Sequence, residues 1–237
     1  MDTIQSKPKI NKYGRRYIIG MTVLPIYQLV LFIIIARRTD YLPLWIFFIT
    51  SLLAVPLGTI IAAKINPDII NYRGIYKKPG LQLWDKILIR VYGLFSLYLP
   101  VIMAAYDIGK DQNTTLPLAV SIMAILILFI GRGIFIWGMC VNDFFDTMVH
   151  IQDDRCHKVV TSGPYRYVRH PGYTGLMLWI LSIPLILGSA IALIPSAIGC
   201  AILILRTYLE DRMLKQELQD YRAYAERVRY RLCIGIW

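Results

Sequence analysis

The sequence predicts an all-α integral membrane protein of about six transmembrane helices, with a C-terminal helical hairpin and a cytosolic C-terminal helix. Three observations lead there. The 237 residues are 57% hydrophobic with a mean hydropathy of +0.52, too apolar for an ordinary soluble domain. The apolar residues come in blocks near the length that crosses a bilayer about 30 Å thick. The positive charges collect on one side of the arrangement those blocks define.

Four blocks, at about 17–36, 44–63, 87–106 and 116–141, read as the first four spans. Lys7, Lys9, Lys12, Arg15 and Arg16 precede the first, as in a secretory signal. A cleaved signal ends in small residues, however, and Ala36-Arg37-Arg38 is a poor cleavage site, so the segment is expected to be retained. Asn66-Pro67 and Lys78-Pro79-Gly80 mark turns in an expected loop over 64–86. A tight hairpin follows at 171–187 and 189–205, turning at Gly188. Its arms are short for a bilayer, so the second is expected to run on into water as a charged helix over 206–228. Loops and ends leave little room for a separate soluble domain. The expected organisation is one integrated membrane domain, with an N-terminal four-helix region at 1–141 and a second region at 142–237.

With the N-terminus inside, the inner segments hold 22 of the 26 Lys and Arg residues, and the outer loops hold only Arg37, Arg38 and Lys110. Both termini are therefore expected in the cytosol. The net charge of +11 is accounted for by this asymmetry, which leaves nothing for nucleic acid to explain. Cys140, Cys156, Cys200 and Cys233 have no paired spacing and imply neither a disulfide framework nor a metal site. Asn113-Thr114-Thr115 is a formal glycosylation sequon in an outer loop, of a kind common by chance. Arg132 lies inside the fourth span between Gly131 and Gly133. An intramembrane arginine is costly and usually functional or paired, but this one is near enough to the inner end to be an anchor, and both readings stand.

From Asn142 onward the polar residues become specific. The stretch from Gly163 to Thr174 packs two arginines, a histidine, three tyrosines and two prolines between strongly apolar segments. Tyrosines and arginines favour headgroups anyway, so a juxtamembrane anchor is the plain reading of their composition. Beyond the hairpin, Arg206 and Glu210 lie four apart on one helical face, which also fits a solvated ion pair. A hairpin returns its second arm beside the start of its first, so this pair and Arg169-His170-Pro171 are expected at one cytosolic-facing mouth.

The ordered run Arg169-His170-Pro171-Gly172-Tyr173-Thr174-Gly175 resembles the Arg-His-Pro-x-Tyr-x-Gly signature of membrane-embedded methyltransferases of the isoprenylcysteine carboxyl methyltransferase type. The turn from Val159 to Tyr165, the hairpin, Arg206-x-x-x-Glu210 and the tail Tyr221-x-x-Tyr224 extend the resemblance over about 152–229, a third of the chain. Phospholipid N-methyltransferases resemble the same region more distantly. The resemblance implies S-adenosylmethionine as cofactor. Gln152, His157, Lys158, Val159, Val160 and Tyr165 would line its adenosine end. His170, Pro171, Gly172 and Tyr173 would wrap its methionine part, and Glu210 would hold its ammonium group. Arg206 matches the arginine that faces the methyl acceptor, with Arg169 as a further substrate-binding candidate. The implied partner is a lipophilic acceptor, an isoprenylated cysteine or a lipid, and the implied location is the cell membrane of a prokaryote or the endoplasmic reticulum membrane of a eukaryote. Two departures stand out: the loop before His157 must be short for Gln152 to fit, and position 211 is Asp where phospholipid methyltransferases show a second glutamate.

Methyl transfer from a sulfonium is an in-line displacement that needs orientation more than acid or base groups. An arginine can hold a carboxylate acceptor bidentately and fix its angle of attack. Carboxyl O-methylation is the first choice and N-methylation of an amino-lipid the second. No Gly-x-Gly-x-x-Gly loop of a soluble Rossmann enzyme is present. A sterol-type reductase using NADPH and a non-catalytic scaffold remain as rivals. Nothing in the sequence specifies the oligomeric state.

Overall fold

The computed structural model describes residues 9–110 and 116–237; Lys7 and the Asn113-Thr114-Thr115 triplet lie outside the described residues. Helix α1 (Lys12–Ala36) starts where the Asn11 side chain accepts from the Tyr13 and Gly14 amides at 2.8 and 3.1 Å, satisfying two donors that no helical carbonyl can reach. It ends at Arg37 in the left-handed conformation. Helix α2 (Leu42–Ile65) carries a proline in its first turn, where the missing N–H has no helical partner to lose.

The segment 64–86 does not form a plain loop. Pro67 begins a seven-residue helix, α3 (Pro67–Arg73), and Asn66 caps it through the Ile69 amide. The dipeptide that suggested a turn is thus a helix start. Helix α4 (Leu83–Gly93), a π turn (Leu94–Tyr98) and α5 (Leu99–Lys110) run on as one 28-residue rod. Pro100 has no N–H to continue the regular ladder. The turn before it widens, so that the Leu99 amide reaches back to the Leu94 carbonyl. Gln28 of α1 donates Nε2 to the Leu97 carbonyl at 2.8 Å and pins the bulge to the first helix.

Helix α6 (Leu118–Val141) and α7 (Pro171–Leu187) form the closest helix pair. Gly131 and Gly175 make it possible. A Cβ on Gly175 would lie 2.5 Å from the Gly131 carbonyl oxygen and 2.8 Å from the Phe135 amide nitrogen. Small residues are how helices approach in lipid, where burial of apolar surface gives no drive to associate. Gly175→Val is therefore expected to cost about 1–3 kcal/mol by overpacking. Thermal unfolding in detergent checks it; an unchanged midpoint would refute the close approach.

Gly188, at φ 77°, ends α7 in a left-handed cap as the hairpin turn requires. The second arm starts later than expected, at α8 (Leu193–Glu217), and carries without interruption through the charged stretch. It then stops. The expected helix over 206–228 breaks at Leu218–Asp220, with Asp220 left-handed, and resumes as α9 (Tyr221–Arg227). The break folds the chain back so that Leu218, Tyr221 and Tyr224 are buried against Tyr165 and Val149 rather than facing water.

Among the described residues five helices are long and apolar enough to cross a membrane, and α7, at 17 residues, is a shorter apolar one. Ile19, Val23 and Ile34 on α1 and Leu53 and Leu57 on α2 are exposed on the outside of the bundle, as a lipid-facing surface requires. Phe32, Phe47, Val101, Ile183 and Ile186 fill its interior. The result is an all-helical multi-pass membrane protein. Residues 142–170, with two short 3₁₀ turns, cover one end of it as a roof.

Candidate functional site

The roof is held by side chains from below. Asp85, two residues into α4, accepts the Val149 amide at 2.7 Å. Lys78 donates to both Asp146 oxygens at 2.6 and 2.7 Å, with both side chains almost wholly buried. Tyr72 and the His150 ring are hydrogen-bonded at 3.0 Å. The loop after α3 is thereby tied to the segment that follows α6.

Within the roof, Gln152 spends both ends of its amide locally. Its Nε2 donates to the Phe144 carbonyl and its Oε1 accepts from Arg155. The Gln152 amide donates to His157 Nδ1 at 3.4 Å, and the His157 ring stacks on Phe144 with centroids 4.4 Å apart. Burial first, then the nearby His150 and Arg155, pushes the His157 imidazole down to about 4. It is neutral near pH 7, as an acceptor nitrogen must be. Because the unfolded imidazole titrates at about 6.5, this burial contributes stability above that pH which is lost as the pH falls toward 4. His157→Gln is expected to flatten part of the acid-side loss of unfolding temperature between pH 6.5 and 4. Superimposable pH profiles would show that the ring is not buried in solution.

The signature run enters α7 through a dense ionic knot. Asp211, 1% exposed, sits 2.8 Å from the Arg169 guanidinium, 3.1 Å from Lys215 Nζ and 3.0 Å from Arg231 Nε, and accepts from the Tyr221 hydroxyl at 3.0 Å. His170 Nε2 is 3.3 Å from the Tyr221 hydroxyl, and its ring stacks on Tyr173. Burial and the neighbouring carboxylates push the Tyr221 phenol up, so it stays a donor. The Arg169 and His170 amides donate to the carbonyls of Tyr230 and Arg231, and Tyr224 donates to the Tyr165 carbonyl. The tyrosine tail is thus the underside of the roof.

Arg206 does not pair with Glu210 despite their spacing. Its Nε and Nη2 grip both oxygens of Asp85 at 2.6 and 3.0 Å, Nη2 also donates to the Thr147 carbonyl at 2.5 Å, and its guanidinium lies over the Tyr173 ring. Both partners are essentially inaccessible to solvent. Glu210 instead accepts the Tyr173 hydroxyl, and among the described residues no cation lies within ion-pairing distance of it.

These groups surround one cavity of about 250 Å³. Of the thirteen residues singled out from the sequence, Gln152, His157, Lys158, Val159, Val160, Tyr165, Arg169, His170, Gly172, Tyr173, Arg206 and Glu210 line it; Pro171 alone does not. Arg169 has its donors taken up by Asp211 and by the Ala225 and Val228 carbonyls, which makes it a clamp between roof and tail. The sequence reading missed what the first half contributes. Tyr17, Arg73, Tyr92 and Arg132 line the same cavity, and Asp85 anchors Arg206. The signals available were the intramembrane Arg132, for which both readings were open, and Asp85, an acid in a strongly basic inner segment.

Fold and site together define a multi-pass helical membrane protein with a ligand-sized, mainly apolar cavity beneath one face, into which a few charged side chains are set. Residues 121–216 match the isoprenylcysteine carboxyl methyltransferase (ICMT) family. The chain is similar to protein-S-isoprenylcysteine O-methyltransferase B of Arabidopsis thaliana, at 33% identity over 90 residues, 35% of this chain and 44% of that protein. It is also similar to a probable protein-S-isoprenylcysteine O-methyltransferase of Oryza sativa subsp. indica, at 29% identity over 86 residues, 34% of this chain and 42% of that protein. The match thus spans less than half the length of these relatives.

Proposed function

We propose that the protein is a membrane methyltransferase that uses S-adenosylmethionine to O-methylate the carboxylate of an isoprenylated cysteine or a similar lipophilic acid. The observation that carries this reading is the unpaired carboxylate of Glu210, set on the cavity beside His170, Gly172 and Tyr173 within the family-matched region. A donor bearing an ammonium and a sulfonium fits a half-buried anion that no protein cation compensates. When bound, S-adenosylmethionine supplies an activated methyl group: the S–C bond breaks with its electron pair left on sulfur, and an O–C bond forms to the acceptor carboxylate.

Glu210 would hold the donor's ammonium, with His170, Pro171, Gly172 and Tyr173 around its methionine part. Gln152, neutral His157, Lys158, Val159, Val160 and Tyr165 would frame its adenosine end. A carboxylate is already the nucleophile, so the chain need supply no base; its residues orient the partners and exclude water. Arg206 is held rigid by Asp85 and Thr147, and its Nη1 makes no hydrogen bond among the described residues, so it has a donor to offer at the junction of the two substrates. In this reading residues 142–237 form the catalytic region. Residues 1–141 form an N-terminal membrane region that completes the cavity wall.

The test is incubation of purified protein with methyl-labelled S-adenosylmethionine and an isoprenylcysteine, followed by base. A methyl ester releases volatile labelled methanol. Label that stays base-stable would assign the product to N-methylation and overturn the carboxyl reading. The charge asymmetry further supports both termini in the cytosol. A single cysteine at position 39, between α1 and α2, is expected to react only from the outer side. Labelling from the cytosolic side would sink that topology.

A further inference from the structure

Two arginines of the cavity wall are left unused by this reading. Arg132 is 6% exposed, its Nε is buried without a partner, and it makes no hydrogen bond or ion pair among the described residues. Its guanidinium lies 5.5 Å from the Phe135 ring and 5.4 Å from that of Trp179. Arg73, 9% exposed, packs 5.7 Å from the same Phe135 ring. It donates to the Tyr17 hydroxyl at 3.0 Å and the Phe145 carbonyl at 3.3 Å, both neutral. Two cations thus meet at one aromatic ring on the cavity wall, and among the described residues no carboxylate pairs with either.

The other buried acids nearby are taken. Asp85 belongs to Arg206, Asp146 to Lys78 and Asp211 to Arg169. Arg132 also sits deep: nine residues before the end of α6 is about 13 Å below the roof end at 1.5 Å per residue. A cation held there without a counter-charge is expensive, and burial strengthens its attraction for any anion that arrives. Met21, Leu24, Leu97, Leu176 and Trp179 line the same cavity and suit a hydrocarbon chain.

We propose that Arg132, assisted by Arg73, is the binding site for the anionic head of the lipophilic acceptor. The inference rests on the methyltransferase reading for the identity of that head as a carboxylate. The cavity then has two charged walls of opposite sign: Glu210 on α8 for the cationic donor, and the arginines of α3 and α6 for the anionic acceptor. Each substrate brings the charge its wall lacks, so neither can take the other's place.

The test uses purified full-length protein in neutral detergent and three probes with one C15 isoprenyl thioether tail, ending in a carboxylate, a carboxamide or a phosphate monoester. Calorimetry gives their affinities and that of S-adenosylmethionine. The native protein is expected to bind the acid about ten- to a hundredfold more tightly than the amide, the range for a charged hydrogen bond. Arg132→Gln is expected to erase that preference while leaving S-adenosylmethionine affinity within about twofold, and Arg132→Lys to keep part of it. Arg132→Met is expected to raise the unfolding temperature of the ligand-free protein, because it removes an uncompensated charge; a structural arginine would do the reverse. Equal binding of acid and amide by the native protein overturns the proposal. So does an acid preference that survives in Arg132→Gln. Tighter binding of the phosphate than of the carboxylate would give the site to a phospholipid head, and lost S-adenosylmethionine affinity in Arg132→Gln would give it to the donor's own carboxylate; either overturns the assignment. Failure of methyl transfer with the acid preference intact and Arg132-dependent would count against the methyltransferase reading and uphold the anion site.

Discussion

Asp85→Ala is expected to cost about 3–5 kcal/mol of stability, the range for breaking a buried ion pair from one side. The reason is what remains behind. Arg206 would keep its charge, with the Thr147 carbonyl and the Tyr173 ring left as partners, in a site almost closed to solvent. The roof would also lose the carboxylate that caps the Val149 amide. Asp85→Asn preserves shape but not charge, and is expected to fall between. Replacing both members, as Asp85→Leu with Arg206→Met, should recover much of the stability while abolishing turnover, because the burial cost leaves with the charges. Thermal unfolding of the native protein, Asp85→Leu, Arg206→Met and the double variant in one detergent closes the cycle. Additive losses would mean that the pair is not formed in solution.

Glu210→Gln is expected to weaken S-adenosylmethionine binding by about ten- to a hundredfold, the loss of one hydrogen bond between charged groups. The unfolding temperature of the ligand-free protein should scarcely move. Tyr173 can donate to an amide oxygen as it does to the carboxylate, and no protein cation is stranded by the change. This separation of affinity from stability distinguishes a ligand-holding acid from an ion-pair partner such as Asp85. Wild-type affinity in a titration of the variant would return Glu210 to the role of a surface acid and remove the donor assignment with it.

The two cases also mark where the sequence was legible. Spans, hairpin and signature rest on local pattern: apolar runs of bilayer length, a glycine at the turn, and residues in fixed order. All were found within a few positions, apart from the early end of α8 and the hidden helix α3. The convergence of Arg169-His170-Pro171 with Glu210 followed from the hairpin alone, since its arms return to the same end, whereas Gln152 to Tyr165 were added by the resemblance. What spacing could not give was partner choice. Arg206 and Glu210 share a face by the helix period, yet Arg206 turns to an aspartate 121 residues away. Tyr17 and Tyr92 likewise reach the cavity from helices whose sequences read as plain anchors, and Arg73 from a segment that read as a loop. Asp211, noticed only as a departure from a relative's pattern, is the knot joining Arg169, Lys215, Tyr221 and Arg231. Such pairings depend on how helices are arranged around one another, which no periodicity encodes.

Arg206, Glu210 and Asp211 stand within five residues of one another on the unbroken helix α8. A single rod therefore carries the group proposed to face the acceptor, the group proposed for the donor, and the latch that closes the roof. A small roll or slide of α8 moves all three at once. Substitutions along this stretch should consequently show strong epistasis, with the effect of one depending on which others are already present. Descendants of this scaffold that changed their acceptor would then be expected to remodel α8 as a block, leaving the freer variation to the helices that face it.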